Sequence, residues 1–461
     1  MSPYFRILSI IVLLFVATSC VKTDDTNPDN PIYGEDQILW TFSLTESIGD
    51  QEIKDIALPA FDEANNGYYL VSIDNTGNGS TNNQKDVWVI ALDEAGNLIW
   101  KIKATDTPES FANKSFISYS DGKVIVFMTD KLLCVDAQTG NALWSNAIYR
   151  TYWVNSMSVA NGKIFYIDGL DITEKIVGVN LSDGSEFCRL PINVPGEDIR
   201  GELTMVSGGK LFVLTNDINN NNQWLSQLLI YNKTDLPGGQ PLAYTTPSDY
   251  APANSALVAT STGSALFFMK NVGTTSPSNK FLVSVNDQGI ENWKTEVPYE
   301  VQDIFIDAAE NIYCVGPYDF LKYSATGAKI FETEIPFATY FDEFEILESN
   351  VVYGVAGNPE TGEEDNIFTV FDLPTCTEQL RYGEYYPYAP IEGSSAQVQE
   401  ENNHRLGENA SFATGKKVAN RQGRLISVGN GTIYCVKNFT NKLMPNAWAK
   451  RFGDLANTNS R

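Results

Sequence analysis

A β-hairpin module that returns seven times, a strand signal that returns eight times and an unmatched strand segment near the start together predict an all-β fold. The arrangement they imply is an eight-bladed β-propeller, with seven blades as the alternative count. A thin four-stranded sheet exposes two faces and cannot exclude water from both, so units of this kind survive by stacking on their neighbours. With 461 residues, 43% of them hydrophobic and 12% aromatic, the chain has material for one large array of this sort.

The first twenty residues are not part of that array. Arg6 precedes an apolar run from Ile7 to Val16 that is too short to span a bilayer stably and suits an export signal, so residues 1–19 are read as a signal peptide. The ending Ala17-Thr18-Ser19-Cys20 resembles the lipobox of bacterial lipoproteins, with Ala17 where Leu is usual. Lipidation of Cys20 is the expectation, and two or more acyl chains suffice for stable anchoring. Residues 20–37 are polar and proline-bearing without apolar periodicity, which reads as a disordered tether. Asp24 and Asp25, close behind the Cys, resemble the acidic surface-export signals of Bacteroidetes lipoproteins; a plain charged linker is the other reading.

The array itself begins with ILWTFSL around Trp40, a closing-strand segment with no hairpin of its own. Its place is predicted to be in the last sheet, beside QGRLISV and GTIYCVK, so that the two ends of the chain close a ring and remove a fraying edge. The sharpest hairpin copies are WVIALDEAGNLIW, ending at Trp100, and LLCVDAQTGNALW, ending at Trp144. Weaker ones end at Cys188, near Ala243, at Trp293, at Phe331 and near Leu380. Strand signals precede the modules, from NGYYLV at Asn66 and DGKVIVF at Asp121 to QGRLISV at Gln422. In each tight turn a glycine such as Gly96, Gly140 or Gly289 supplies positive φ, and Asp93 and Asp136 supply hydrogen bonds. Trp40 belongs to the same set as Trp100, Trp144 and Trp293. The last three are assigned to the contact between blades, where truncation to Ala would cost on the order of 3–5 kcal/mol each.

Charge and chemistry narrow the function. The 57 acidic against 32 basic residues give a formal charge of −25, which opposes binding to nucleic acid. Besides Cys20 the chain has Cys134, Cys188, Cys314, Cys376 and Cys435, an odd set without CxxC spacing, read as small core residues. The single histidine, His404, sits in a polar insert and cannot build a zinc site alone. Loops at Asp217 and Pro359 offer oxygen ligands without any calcium-motif spacing, so Ca²⁺ stays a minor alternative and no metal or catalytic residue is assigned. Residues 383–410 form a long insert opening on EYYPYAP, and long loops in compact domains are often functional. Tyr382, Tyr385, Tyr386 and Tyr388 form one candidate contact patch; Tyr149, Tyr152 and Trp153 form a second. Packing on neighbouring strands is the competing reading for both.

The segments ALDEAGNLIW and CVDAQTGNALW resemble the A-x-D-x-x-T-G-x-x-x-W tandem repeat of PQQ-like propellers, a group that includes quinoprotein alcohol dehydrogenases and an outer-membrane assembly lipoprotein. The resemblance runs from about residue 38 to the end, as one propeller domain over 38–461. The tail NAWAKRFGDLANTNSR is similar to a W-P-x-F-x-x-D-x-x-x-T-G-R closing segment, with Ala449 for the Pro and Asn459 for the Gly, and is expected to pack on the last blade. The family's redox chemistry does not carry over, because the chain has neither an adjacent Cys-Cys pair nor a CxxCH haem motif. PQQ is therefore not expected, and the resemblance implies architecture without fixing function. The expected role is a monomeric, non-enzymatic outer-membrane lipoprotein, at the cell surface or facing the periplasm, that binds an envelope protein or polysaccharide. A periplasm-facing assembly factor and a glycan or small-molecule enzyme using channel carboxylates are the alternatives.

Overall fold

The computed structural model describes residues 38–48, 52–74, 85–105, 115–128, 130–148, 157–169, 175–192, 198–207, 209–218, 226–232, 241–247, 250–252, 257–272, 279–299, 301, 303–316, 319–334, 340–346, 351–357, 367–372, 377–382, 416–420, 422, 424–429 and 431–436. Cys20, the tether, the insert and the tail lie outside them, as do Tyr149, Tyr152, Trp153, Tyr385, Tyr386, Tyr388 and His404. Among the described residues the chain is all-β, with one short helix, α1 (Leu44–Ile48).

The described strands pair into eight antiparallel sheets. In the first, β2 (Glu52–Ile56), β4 (Gly67–Asp74), β5 (Lys85–Leu92) and β6 (Leu98–Thr105) follow in order, with β3 (Ala60–Phe61) also on β4. The second is β7 (Phe116–Ser120), β8 (Lys123–Phe127), β9 (Lys131–Asp136) and β10 (Ala142–Ala147). The third is β11 (Met157–Ala160), β12 (Lys163–Asp168), β13 (Lys175–Asn180) and β14 (Glu186–Pro191). The fourth is β15 (Asp198–Ser207), β16 (Lys210–Ile218), β17 (Gln227–Asn232) and β18 (Leu242–Thr245). The fifth joins β19 (Tyr250–Pro252) and β20 (Val258–Ala259) to β21 (Ala265–Asn271), then β22 (Lys280–Val285) and β23 (Glu291–Glu296). The sixth is β24 (Asp303–Ile306), β25 (Ile312–Val315), β26 (Asp319–Tyr323) and β27 (Lys329–Glu334). The seventh is β28 (Tyr340–Ile346), β29 (Val351–Gly357), β30 (Ile367–Asp372) and β31 (Thr377–Tyr382). The last takes β32 (Lys416–Ala419), β33 (Leu425–Gly429) and β34 (Thr432–Val436), and its fourth strand is β1 (Ile38–Ser43) from the other end of the chain, antiparallel to β34 with Trp40 opposite Cys435.

Alternation along the second strand of a sheet explains why the sheets stack. In β8, Val124 and Val126 face a core shared with the first sheet, while Ile125 and Phe127 face a core shared with the third. The same division recurs in β12, where Ile164 and Tyr166 point to the second sheet and Phe165 and Ile167 to the fourth. In β16, Leu211 and Val213 face back and Phe212 and Leu214 face forward. Period-2 strands buried on both sides must be apolar at every position, and each large side chain so placed contributes roughly 1.5–3 kcal/mol of burial. In β8 and β12 the charged residues, Lys123, Lys163 and Asp168, stand at the strand ends, where the hairpins turn. The pairs Asp121-Gly122 and Asn161-Gly162 have positive φ at both residues (49° and 72°, 52° and 69°), the geometry of a two-residue hairpin that continues the strand twist.

Candidate functional site

The best-defined constructed feature is the contact between the outer strand of one sheet and the outer hairpin of the next. Trp100 of β6 donates its indole Nε1–H to Ala137 O at 2.8 Å, and its ring lies against Gly140 of the second sheet. Trp144 of β10 repeats this on the third sheet, with Nε1–H to Leu181 O at 3.1 Å and the ring against Gly184. Trp293 of β23 does so on the sixth, with Nε1–H to Ala325 O at 3.1 Å and the ring against Gly327. Trp40 of β1 completes the set: its Nε1–H reaches Glu94 O at 2.9 Å and its ring covers Gly96 of the first sheet. In all four the accepting carbonyl belongs to the residue after the one that opens the turn (Asp93, Asp136, Asn180 or Ser324), so the turn and the indole form one recognition unit.

The turn chemistry holds that unit rigid. Asp93 Oδ1 accepts from the backbone N–H of Ala95 and Asn97, both within 2.9 Å, and Oδ2 accepts from Asn97 Nδ2. Its partial burial alone would raise the carboxyl, but these donors outweigh that and hold it below the usual range. Asp136 Oδ1 accepts from Thr139 Oγ1–H and from the N–H of Thr139 and Gln138, and the Thr139 hydroxyl does most to hold this carboxyl low. The glycines carry positive φ, +82° at Gly96 and +73° at Gly140, and a methyl on Gly140 would stand 2.7 Å from Trp100 Cδ2. Glycine is thus required both by the backbone and by the ring packed on it.

Gly289 also has positive φ, +75°, but it faces Ala243 O and Leu242 Cβ of the fourth sheet at ordinary contact distance in place of an indole. Here the sheets are linked by Tyr244, whose hydroxyl donates to Glu291 Oε2 at 2.6 Å. By register, Cys188 and Phe331 hold the tryptophan position in the third and sixth sheets. Tyr382 ends β31, and the rest of both aromatic patches lies outside the described residues.

Two features go beyond what the sequence reading anticipates. Asp62 and Asp307 are buried at the first hairpins of the first and sixth sheets. Each accepts from two backbone N–H groups, from an Asn side chain and from a tyrosine hydroxyl, Tyr68 or Tyr313, at 2.9 Å. The signal is present as a shared D-x-x-x-N-x-Y spacing in DEANNGY and DAAENIY. The second is α1, set by tertiary contact: Leu44 N–H donates to Gly431 O at 2.7 Å, and Lys101 Nζ donates to Ser47 O.

Cys134, Cys188, Cys314 and Cys435 are free and buried. Burial pushes the Cys188 thiol up to about 11 and the Cys134 and Cys435 thiols up to about 12, which removes the thiolate a nucleophile needs. Among the described residues no group of three or more His, Cys, Asp or Glu is arranged to hold a metal ion. No described helix is long and apolar enough to cross a membrane.

Stacked four-stranded sheets with indole-on-glycine contacts define a repeat β-sheet protein of the PQQ-like type. A family model described as "Outer membrane protein assembly factor BamB" matches residues 85–316, half of the chain, and the chain belongs to that family. Two solved structures are similar. The europium-containing methanol dehydrogenase has a TM-score of 0.52 at 9% identity, over 87% of this chain and 93% of the other. BamB from Moraxella catarrhalis has a TM-score of 0.46 at 12% identity, over 87% and 99%. No curated protein matches the chain.

Proposed function

We propose that the chain is a non-enzymatic binding module of the cell envelope, a rigid propeller that presents its connecting segments to a protein or polysaccharide partner. Family membership over residues 85–316 carries this reading, and the repeated indole docking supports it, because a rigid scaffold suits a site built on its loops. We read the eight sheets as eight blades in one ring. The pairing of β1 with β34 and the seat of Trp40 on Gly96 support closure by the N-terminal strand, and Arg424 Nη1 to Glu94 Oε1 at 3.2 Å adds an ion pair across the same seam. On this reading a diacylated Cys20 anchors a monomer to the outer membrane through residues 20–37. The insert 383–410 and the Tyr382, Tyr385, Tyr386, Tyr388 and Tyr149, Tyr152, Trp153 patches are the surfaces we assign to the partner. PQQ and Ca²⁺ have no assigned role.

The test is chemical crosslinking of the full chain in its own envelope, followed by capture, with and without residues 383–410. A defined envelope partner lost with the insert supports the reading; steady-state turnover of alcohols or glycosides by the purified chain rejects it. Cys20→Ser should release the protein from membranes. The family description favours a periplasm-facing assembly role as the second reading, and protease treatment of intact cells separates it from surface display.

A further inference from the structure

Each sheet ends on an outer strand whose second row of N–H and C=O groups meets no strand among the described residues. Such edges recruit foreign strands, and proteins guard them with charge, proline or brevity. Most of these edges are guarded in that way. Lys101 and Lys103 stand on β6, and Glu186, Arg189 and Pro191 on β14. Glu291, Lys294 and Glu296 stand on β23, and Lys329 and Glu332 on β27. β18 is four residues long and follows Pro241. β1 is uncharged, but it runs without a break into α1, which is tied to the neighbouring β6 through Lys101 and Ser47.

β10 has none of these guards. Its sequence, Ala-Leu-Trp-Ser-Asn-Ala, holds no charge and no proline over six residues. Trp144 and Asn146 are turned to the third sheet, the latter donating Nδ2–H to Gly184 O at 2.8 Å, which fixes the strand in place. Leu143, Ser145 and Ala147 are left exposed on the other side, with Leu143 at 46%. The strand is therefore preorganised and extended, and among the described residues no strand pairs with its outer edge.

We infer that the free edge of β10 is a docking site for an extended, uncharged strand of a cationic envelope protein, added as a fifth strand to the second sheet. Charge selects this occupant. Leu143 and Ala147 present apolar groups and no charge of their own on β10, so the docking strand is neutral where it lies beside them. A second copy of the chain would bring its own −25, whereas a partner with net positive charge is drawn to this acidic protein. Main-chain hydrogen bonds would supply affinity, and Leu143 and Ala147 would supply the apolar contacts. This inference rests on the protein-binding reading above and adds a site to the surfaces assigned there.

The probe is a fluorescent peptide of alternating Thr and Val flanked by Lys pairs, titrated against the full chain up to about 1 mM. Binding should fall at least tenfold for Ser145→Lys, and at least tenfold for a peptide N-methylated on alternate amides, which blocks pairing along one edge. Thr295→Lys on the guarded β23 should leave it unchanged. Circular dichroism and the melting midpoint establish that both variants fold. No saturable binding, equal binding by wild type and Ser145→Lys, or loss on Thr41→Lys of β1 instead would overturn the assignment. Crosslinking in the envelope separates the two levels: a partner kept by Leu143→Lys/Ser145→Lys overturns the β10 site and leaves the binding-module reading standing. Wild type that captures no partner while binding the peptide as expected overturns that reading and leaves the edge site.

Discussion

Gly140→Ala is the perturbation that isolates the indole seat. The residue has φ +73°, where an L side chain costs roughly 1–2 kcal/mol. Its new methyl would also stand 2.7 Å from Trp100 Cδ2, and that ring is buried and held by Ala137 O, so relieving the overlap adds roughly 1–3 kcal/mol. Gly122 offers the control. Its φ is +72°, and a methyl there would meet nothing within 4 Å, so Gly122→Ala carries the backbone cost alone. Trp100→Ala by itself removes a buried indole and should cost about 3–5 kcal/mol. In that background the overlap at Gly140 is gone, and Gly140→Ala should fall to the cost of Gly122→Ala. The expected coupling between positions 100 and 140 is therefore about 1–3 kcal/mol, read from urea midpoints by circular dichroism with slopes compared across the cycle. A Gly140→Ala penalty that is the same with and without Trp100 would refute the docking argument.

Three further outcomes follow from the same geometry. Trp40→Ala should destabilise by about 3 kcal/mol although it lies in the first described strand; a change near zero in thermal or urea midpoint would count against the seat of its indole on Gly96. Cys134 and Cys435 should resist iodoacetamide at pH 8 and react fully in urea, as followed by peptide mass spectrometry; labelling of the native protein at the rate of a free thiol would contradict their burial. The Asp136 carboxyl is held low by Thr139, so its contribution is present above its unfolded value of about 3.9 and lost as pH falls through the folded one. Asp136→Asn should therefore lie below wild type in melting temperature at neutral pH and converge with it towards pH 3, and a gap independent of pH would count against the carboxylate's role.

Much of the architecture is legible in the sequence because the modules repeat their physics. A run such as WVIALDEAGNLIW carries a two-faced strand, a turn with its Asp and Gly, and a terminal indole, and the structure places all three in one hairpin with the indole leaving it for the next sheet. What the module cannot announce is its neighbour. Trp100 reads the same whether Gly140 or Gly96 receives it, since that choice is made by how sheets stack and not by any local spacing. The buried Asp62 and Asp307 differ: their D-x-x-x-N-x-Y spacing lies within one hairpin, and the structure shows what it does, a carboxylate that takes the tyrosine hydroxyl six residues on.

The candidate binding edge is less legible still, and for a physical reason. Ala-Leu-Trp-Ser-Asn-Ala is an ordinary β segment, and in a central strand its lack of charge would signal burial. Only when β10 is known to be the last strand of its sheet does the same neutrality become an unguarded row of hydrogen-bonding groups. The lysines and glutamates on β6, β23 and β27 acquire meaning at the same moment, as residues that keep foreign strands away from edges of the same shape. If the proposed β10 site holds, partner selection is written in which edge omits its charges, an omission that topology alone makes visible.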